Sequence, residues 1–298
     1  MSPLQFTQIQ RRIAELDRIP TVPALLMPLL KFLGQPAEDV DVNRMVGLIA
    51  HDKSLSAQCL QMANSPLFGM RQRVDSVRGA VIAVGIRRVR EMATTCCLVR
   101  DLPRPGGGIR PDSLWRHSLG CALASRHLAT KIGFKDPEQA YLGGLLHDVG
   151  LIVELTLFPK EFDAAFRMAA EQGRILTEAE REILGTDHSV IGSVLADKWS
   201  LPPEMKEVIR FHHDLENSCK NRTLVSIVHL SDLLCRFRGL GYGYAEFRQL
   251  DLTDEPSWQY IAEDLPQVRN FDLARFTLEM DDCLEEIEQL VTSLFNIQ

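Results

Sequence analysis

The sequence contains no cysteine pair at ligand spacing and no long apolar run that is free of charge. Its seven cysteines include no CxxC, and an odd count without zinc-finger spacing is typical of reduced, mostly buried thiols. The most apolar window, residues 141–158, contains His147, Asp148 and Glu154, which makes it a poor membrane span. The first residues, MSPLQFTQIQRR, lack the basic-then-apolar order of a secretory signal. These absences predict a cytoplasmic protein without a membrane span.

Sustained alternation of apolar and polar residues, internal repeats and low-complexity segments are missing as well. Segments such as TVPALLMPLLKFL and DVNRMVGLIAHDKSLSAQCLQMANS instead carry apolar residues at three- and four-residue spacing, which predicts amphipathic helices. With 45% hydrophobic and 24% charged residues, the composition is that of an ordinary globular protein. The sequence therefore predicts an all-α fold. Beyond residue 150 we expect helices over residues 160–172, 176–184, 187–199, 203–213, 222–237 and 273–296.

Several helix ends are marked by capping residues. Asp41 and Ser54 are suited to the N-cap positions of two successive short helices. The segment DPEQAYLGGLLHDVG predicts a helix that has Asp136 as its cap and Pro137 as its first residue, and that ends at Gly150.

A chain of 298 residues is long for a single core and favours two or more subdomains. The segment LPRPGGGIRPD, residues 102–112, has three glycines and three prolines among eleven residues and cannot remain helical. We therefore expect a first helical subdomain over residues 1–104 and a second over residues 105–237. Residues 251–298 hold twelve acidic residues against two arginines, so residues 238–298 are expected to form an acidic helical extension.

The net charge of −7 conceals one basic segment, which runs from Arg71 to Arg104 and holds eight arginines against three acidic residues. Arg87, Arg88 and Arg90 are predicted to lie opposite the apolar face of their helix, as solvated residues do. The segment could bind a signalling partner protein or the acidic C-terminal helix of this chain, or it could form a solvated surface without a partner. Nucleic acid is not expected as a partner, because the chain is acidic overall and no aromatic platform accompanies the arginines.

Histidines are concentrated in the second half of the chain. Six of the eight lie between residues 117 and 213, each on a predicted helix or at its end. Imidazole and carboxylate together suit iron, manganese or zinc better than calcium, and a carboxylate shared between two ions is what a two-metal hydrolytic centre needs. The alternative for His147 and Asp148 is a solvated pair at a helix C-terminus, where the helix dipole favours a histidine. The candidate ligands, in chain order, are His117, His147, Asp148, His188, His212, His213 and Asp232.

The order of these residues, H…HD…H…HH…D, resembles that of the HD phosphohydrolase superfamily in its binuclear branches. In the first half, IPTVPALLMPLLKFL, IAHDKSLSAQCLQMANS and SVRGAVIAVGIRRVREMA are similar to the amino-terminal part of the HDOD domain. LWRHSLG and WSLPPEMKEVIRFHH are similar to its second half, so the resemblance covers roughly residues 17–235. On this alignment the pair His51-Asp52 matches the family's Asp-x-x-Leu element and is not the metal-binding doublet.

The resemblance to HDOD proteins implies two helical subdomains, the second an HD-type helical bundle with a metal site, in a bacterial signal-transduction or regulatory protein. It also implies metal-dependent phosphohydrolase chemistry at two ions of iron, manganese or zinc. His147 and Asp148 would be the catalytic pair, and Asp148 would bridge the ions. One ion would be held by His117, His147 and Asp232, and the other by His188, His212 and His213.

The chain departs from the relatives that hydrolyse cyclic di-GMP. Proteins of the HD-GYP type have a lysine three residues after the aspartate of the doublet, where this chain has Leu151, and their Gly-Tyr-Pro motif is missing from HHDLENSCKNRT. The sequence GYGY at residues 241–244 is too far along the chain and lacks the proline. Three interpretations remain: hydrolysis of a nucleotide or other phosphoester, a catalytically inactive sensory or protein-interaction module, and di-iron oxygenase chemistry.

Overall fold

The computed structural model describes residues 25–33, 39–65, 72–101, 109, 111–218, 220–246, 251–279 and 287. Every regular element within these residues is a helix and none is a strand, which confirms the predicted all-α fold. The chain divides into two units, one with the helices from Leu26 to Asp101 and the other with the described residues from 109 to 277. The subdomain boundaries predicted at residues 104 and 237 remain predictions. Arg71 and Arg104, and residues 280–296 of the last predicted helix apart from Ile287, lie outside the described residues.

The first unit is built around one central helix. Its five helices are α1 (Leu26–Leu33), α2 (Val42–His51), α3 (Lys53–Ala63), α4 (Val77–Val84) and α5 (Ile86–Asp101). Helix α5 packs against α1, α3 and α4, so every residue of its middle, 89–99, is buried. A helix that is covered on all sides by its neighbours keeps no solvated face.

The arginines at the start of α5 differ from the prediction because of this position. Arg87 is exposed and Arg88 is partly exposed, but Arg90 is 1% exposed and donates a hydrogen bond to the carbonyl of Phe32. Phe32 lies in the last turn of α1, where carbonyl groups have no partner within their own helix. The prediction that Arg90 is solvated is therefore wrong, since its guanidinium is buried at the end of a neighbouring helix.

The pair His51-Asp52 forms the junction between α2 and α3. Asp41 caps α2 as predicted, accepting from the backbone N–H of Arg44 at 3.0 Å. The cap of α3 is Asp52 rather than Ser54, because α2 ends at His51 and leaves Asp52 as the single residue before the next helix. Its Oδ1 accepts from the backbone N–H of Leu55 at 2.9 Å.

The second unit contains nine α-helices among its described residues. Helix α6 packs against α7 and α13, α8 against α11, and α11 against α12, and these four helix pairs surround the candidate site. The elements are α6 (Pro111–Ile132), α7 (Pro137–Leu146), α8 (Val149–Leu157), α9 (Pro159–Gln172), α10 (Leu176–Leu184), α11 (His188–Lys198), α12 (Pro203–Phe211), α13 (Arg222–Phe237) and α14 (Pro256–Asp264), with 3₁₀ turns at Leu215–Asn217 and Pro266–Asn270 and further helical residues over 273–277.

The helix that carries GGLL starts as predicted but ends earlier. Asp136 accepts from the N–H of Gln139 at 3.2 Å and Pro137 is the first helical residue. The helix ends at Leu146, and Gly150 lies in the first turn of α8. The predicted end at Gly150 is therefore wrong. Gly150 serves a close crossing instead: a Cβ there would lie 1.9 Å from the carbonyl oxygen of His188 on α11.

The stretch Pro137–Leu157 is the one part of the described chain that is long and apolar enough to cross a membrane, judged by length and composition. Of its most apolar window, 89% is buried inside the protein. The core helices of globular proteins also reach this length and hydropathy, so the stretch by itself is weak evidence for a membrane span.

Candidate metal centre

The structure brings all seven candidate ligands together inside the second unit. Each is placed by a helix or by the end of one: α6, the junction of α7 and α8, the start of α11, the end of α12, and α13. Six of the seven side chains belong to residues that are at most 3% exposed, and the seventh, His213, is half-buried. In chain order these candidate ligands are His117, His147, Asp148, His188, His212, His213 and Asp232.

One oxygen of Asp148 faces a first group of ligands. Its Oδ2 lies 3.4 Å from Nε2 of His117 and 3.1 Å from Nε2 of His147. The Nε2 atoms of these two imidazoles are 3.3 Å apart, and Oδ1 of Asp232 lies 3.1 Å from Nε2 of His117. Metal–ligand bonds of about 2.0–2.2 Å place two ligands of one ion about 3–3.5 Å apart. The four side chains therefore have the spacing of ligands around a single ion.

The other oxygen of Asp148 faces a second group. Its Oδ1 lies 3.1 Å from Nε2 of His188 and 3.4 Å from Nε2 of His212. The ring of His213 is next to both, with its centroid 5.1 Å from that of His188 and 4.1 Å from that of His212. One ligand atom from each of these four residues falls within 4.8 Å of the others. Asp148 is thus shared between two groups, as a bridging carboxylate is.

Four of the histidines are oriented by a hydrogen bond at Nδ1. An acceptor at Nδ1 keeps a proton there and turns Nε2 toward the middle of the centre, where a metal ion would replace any proton on Nε2. The acceptors are the carbonyl of Leu240 for His117 at 2.7 Å, the carbonyl of Gly144 for His147 at 2.8 Å, the carboxylate of Glu180 for His188 at 2.8 Å, and the carbonyl of Ile209 for His212 at 3.0 Å.

The two aspartates keep their charge although they are buried. Burial by itself would raise the pKa of Asp148, but the charge of His147 and the hydrogen bond from His117 hold that pKa well below its ordinary value. The pKa of Asp232 is likewise held well below its ordinary value, by Arg236 and His117 against the effect of burial. Burial would lower the pKa of His117, but the two aspartates raise it to about 10. The interior therefore holds two carboxylates that require cations beside them.

Two imidazoles of the second group, those of His212 and His213, are kept neutral, whereas Glu180 and Asp148 raise the pKa of His188 well above its ordinary value against the effect of burial. Burial lowers the pKa of His212, and the charges of neighbouring histidines hold it down despite Asp148. The same causes place the pKa of His213 well below its ordinary value. Neutral imidazole is the form that binds metal ions, so these two rings are in the protonation state a ligand needs.

The residues fit a pair of transition-metal ions. Oδ1 of Asp148, Nε2 of His188 and Nε2 of His212 are buried and have no hydrogen-bond partner of good geometry. Leaving such atoms unpaired costs free energy unless a ligand satisfies them. Nitrogen and carboxylate oxygen donors are those of iron, manganese and zinc sites.

Glu180 is a residue of the site that the sequence did not reveal. It lies on α10, is fully buried, and accepts from both Nδ1 and the backbone N–H of His188, at 2.8 and 3.0 Å. In the sequence it is one of three glutamates, 178, 180 and 182, at alternate positions of one helix. Glu178 and Glu182 instead pair with Arg174 near the surface. No signal in the sequence separates the buried glutamate from the other two.

Cys121 and Tyr242 flank the first group. Sγ of Cys121 is 3.5 Å from Nε2 and 3.8 Å from Nδ1 of His117, so the thiol lies beside the imidazole ring rather than in front of its Nε2 lone pair. The position of Cys121 one helical turn after His117 is a sequence signal for this contact. Tyr242 covers the same imidazole from the segment after α13, with ring centroids 4.8 Å apart.

The comparison with protein families decides the relationship of the chain. The sequence model of the HDOD domain matches residues 19–215. The chain belongs to the HDOD family. This HDOD protein is also 32% identical to an HDOD domain protein with unknown function from Geobacter sulfurreducens, whose crystal structure it matches with a TM-score of 0.86 over 96% of this chain and 97% of that chain.

Two further crystal structures share the fold of this HDOD protein. A candidate phosphohydrolase from Shewanella amazonensis SB2B is 22% identical, with a TM-score of 0.74 over 96% of this chain and 97% of that one. A candidate signal transduction protein from Marinobacter aquaeolei VT8 is 21% identical, with a TM-score of 0.77 over 97% of this chain and 64% of that one. At these identities the likeness establishes the fold alone.

A curated relative is considerably longer than this chain. An uncharacterized protein of Treponema pallidum (strain Nichols) is 28% identical over 236 residues, which are 78% of this chain and 45% of the relative. The chain therefore spans less than half the length of that relative.

Proposed function

We propose that this chain is a bacterial regulatory HDOD protein whose second unit binds two divalent transition-metal ions and hydrolyses a phosphoester. The position of Asp148 carries this proposal, because each of its oxygens faces a different pair of histidine Nε2 atoms at 3.1 and 3.4 Å. A carboxylate shared between two ions is the central ligand of two-metal hydrolytic centres. The fold shared with a protein described as a candidate phosphohydrolase adds support by analogy only.

Under this proposal Asp148 would contribute to the binding of both ions. His117, His147 and Asp232 would hold the first ion, and His188, His212 and His213 would hold the second. Mixed imidazole and carboxylate sets suit iron, manganese and zinc.

The protein contributes a rigid and charged frame to this chemistry. Divalent ions bound at such a centre act as Lewis acids and lower the pKa of water. The chain holds Asp148 and Asp232 charged in a site that excludes bulk water, and the hydrogen bonds at Nδ1 fix the imidazole rings. Groups that are already oriented need no rearrangement when charge develops on a phosphoryl group.

A catalytically inactive sensory module is the second candidate, and the burial of the centre favours it. Six of the seven ligands belong to residues that are at most 3% exposed. Leu151 occupies the position at which phosphodiesterases of the HD-GYP type have a lysine. Its side chain is fully buried and provides no positive charge for a phosphate. A centre of this kind holds metal for a structural or sensory purpose without turnover.

Metal analysis of the full chain, purified without chelator, tests both candidates. We expect about two ions per chain in the wild type, loss of both ions in Asp148→Asn because the shared carboxylate serves both groups, and loss of the first ion in His147→Ala. His51→Ala and Asp52→Asn are matched controls, since they alter the same dipeptide where it joins α2 and α3, and their metal content should equal that of the wild type.

Phosphate release from a panel of phosphoesters separates the two candidates. Turnover that Asp148→Asn abolishes and His51→Ala leaves intact supports the phosphohydrolase. Metal without turnover on any panel member supports the sensory module. A wild-type protein that contains no metal, and takes up no iron, manganese or zinc on reconstitution, contradicts both.

A further inference from the structure

A cavity of about 230 Å³ adjoins the first group of ligands. Its walls come from the end of α13 and from the segment that follows, residues 241–246. Two wall residues touch the centre: Tyr242 packs its ring on His117, and Nη2 of Arg236 lies 2.9 Å from Oδ2 of Asp232. The space is therefore next to the residues that would hold one of the ions.

Two polar groups that belong to residues of this wall are buried without a hydrogen-bond partner. They are the hydroxyl of Tyr242, a residue that is 8% exposed, and Nε of Arg236. The terminal nitrogens of the same guanidinium are held in place by Asp232 and by Glu246, the latter at 2.5 Å from Nη1. Unpaired buried donors are costly, so their presence on one cavity wall points to a polar ligand. An anion that accepts from the guanidinium would satisfy Nε.

The rim of the cavity carries an aromatic face. Phe237 lines the cavity and is 64% exposed, so its ring is accessible to a ligand. The guanidinium of Arg238 lies 6.0 Å from the centre of the Phe237 ring. An exposed aromatic ring next to a cation is the surface on which proteins stack nucleobases.

The volume limits the size of the ligand. Pockets that enclose drug-sized ligands measure about 300–1,000 Å³. A cavity of about 230 Å³ is smaller and suits a ligand with one base and one phosphate. A cyclic dinucleotide, which has two of each, exceeds it.

We propose that this cavity binds a nucleoside monophosphate. The base stacks on Phe237, the hydroxyl of Tyr242 and Nε of Arg236 bind polar atoms of the ligand, and the phosphate points toward the first group of metal ligands. The direction of the phosphate rests on the proposed function, whereas the binding of the nucleotide does not. The substrate class of the centre is then mononucleotide phosphoesters.

Calorimetric titration of the metal-loaded full chain with the four nucleoside 5′-monophosphates tests this assignment. Ribose 5-phosphate is the control probe that lacks a base, and cyclic di-GMP is the control probe that is too large for the cavity. Loss of one stacked base weakens binding about tenfold or more. We expect at least one monophosphate to bind about tenfold more tightly than ribose 5-phosphate and cyclic di-GMP. Phe237→Ala removes this preference for the base, and Ile82→Ala, at an apolar side chain that is 81% exposed in the other unit, changes nothing.

Tyr242→Phe is a second variant that keeps the ring against His117 and removes only the unpaired hydroxyl. We expect it to weaken the nucleotide about three- to tenfold, the value of one hydrogen bond. Three results would overturn the proposal: no monophosphate binds, ribose 5-phosphate binds as tightly as the monophosphates, or neither variant changes the affinity. Cyclic di-GMP binding that depends on Phe237 would overturn the limit on size.

Phosphate release, measured in the same samples, separates this proposal from the proposed function. Nucleotide binding that Phe237→Ala weakens, without phosphate release from any of these probes, supports the cavity assignment and contradicts mononucleotides as the substrates of the centre, whereas the phosphohydrolase itself is contradicted only when the whole phosphoester panel gives no release. Release of phosphate from another phosphoester, without binding of any monophosphate, contradicts the cavity assignment and supports the phosphohydrolase.

Discussion

At the scale of single residues, the geometry of the candidate metal centre depends on the groups that accept hydrogen bonds from Nδ1 of its imidazoles. Three of the four Nδ1 hydrogen bonds go to backbone carbonyls, which the fold itself positions. His188 is different, because its acceptor is the side chain of Glu180. A carboxylate at this position fixes the ring and makes Nε2 a stronger ligand. Glu180 is therefore the place where one substitution can alter a ligand without altering the backbone.

We expect Glu180→Gln to weaken binding of the second ion about 10- to 100-fold and to leave the first ion in place, because an amide orients His188 less firmly. Titration of metal-free protein with manganese measures both affinities. Glu182→Gln is the matched control on the same helix, since its side chain pairs with Arg174 at 2.9 Å and does not reach the centre. Equal manganese affinities in the wild type and in Glu180→Gln would show that Glu180 does not support metal binding by His188.

The same residues show what a sequence can and cannot predict at this scale. The seven candidate ligands could be selected from the sequence because the HD superfamily that the chain resembles has a fixed order of histidines and aspartates on successive helices. The position of Glu180 is not recognisable, because burial of one glutamate among three depends on which helix packs on α10. Arg90 shows the same limit: its helix looks amphipathic, but three neighbouring helices cover it.

At the scale of helices, the two groups are joined by close crossings that only glycine permits. A Cβ at Gly150 would meet the carbonyl of His188 at 1.9 Å, and a Cβ at Gly144 would meet the carbonyl of Cys121 at 2.5 Å. The atoms it would meet are backbone atoms, which cannot turn away as a side chain does. These crossings bring α8 against α11 and α7 against α6, and they set the distances across the centre.

Gly150→Ala should destabilise the second unit by about 3 kcal/mol or more, at the upper end of overpacking effects, because whole helices must separate. It should also release the second ion, since His188 moves away from Asp148. Thermal unfolding and metal content measure the two effects. Gly47→Ala is the control, as nothing lies within 4 Å of a Cβ there, and it should stabilise its helix by about 0.5–1 kcal/mol. An unchanged melting temperature and metal content in Gly150→Ala would refute the account of this crossing.

The connection between α12 and α13 is held by one carboxylate. Glu207 accepts from the hydroxyl of Ser218 at 2.7 Å and from three N–H donors of Lys220 and Asn221. Burial would raise the pKa of Glu207, but these hydrogen bonds lower it to about 2. A lowered pKa means that the stabilisation is complete above the ordinary value of 4.5 and is lost as the pH falls through about 2.

We therefore expect Glu207→Gln to be less stable than the wild type near neutral pH, by about 1 kcal/mol once partial exposure is allowed for. The difference should shrink as the pH falls from about 5 toward about 2, where the wild-type carboxyl also becomes neutral. Denaturant unfolding at a series of pH values measures it. Glu204→Gln, on the same helix, controls for the loss of one negative charge, and a difference between wild type and Glu207→Gln that is independent of pH would contradict the assignment.

At the scale of the whole molecule, the all-α fold follows from the spacing of apolar residues, and the described helices of the second unit begin and end close to their predicted bounds. The exception is the segment around His147 and Asp148, where the apolar run GGLLHDVGLI suggests a single helix up to Gly150. The break at Leu146 could not be predicted, because it depends on how α8 meets α11 in space. The cavity could not be predicted either, since its walls combine the end of a helix with a loop that has no regular pattern.

The break between α7 and α8 also has a mechanical consequence. His147 and Asp148 are the only two residues between these two helices, while the remaining candidate ligands belong to other helices of the unit. An ion bound both by these two residues and by ligands on the other helices would fix the angle between α7 and α8. Removal of the ion would allow that angle to change. Binding or loss of metal would thereby change the orientation of α8 relative to α7, whether or not a phosphoester is ever cleaved at the centre.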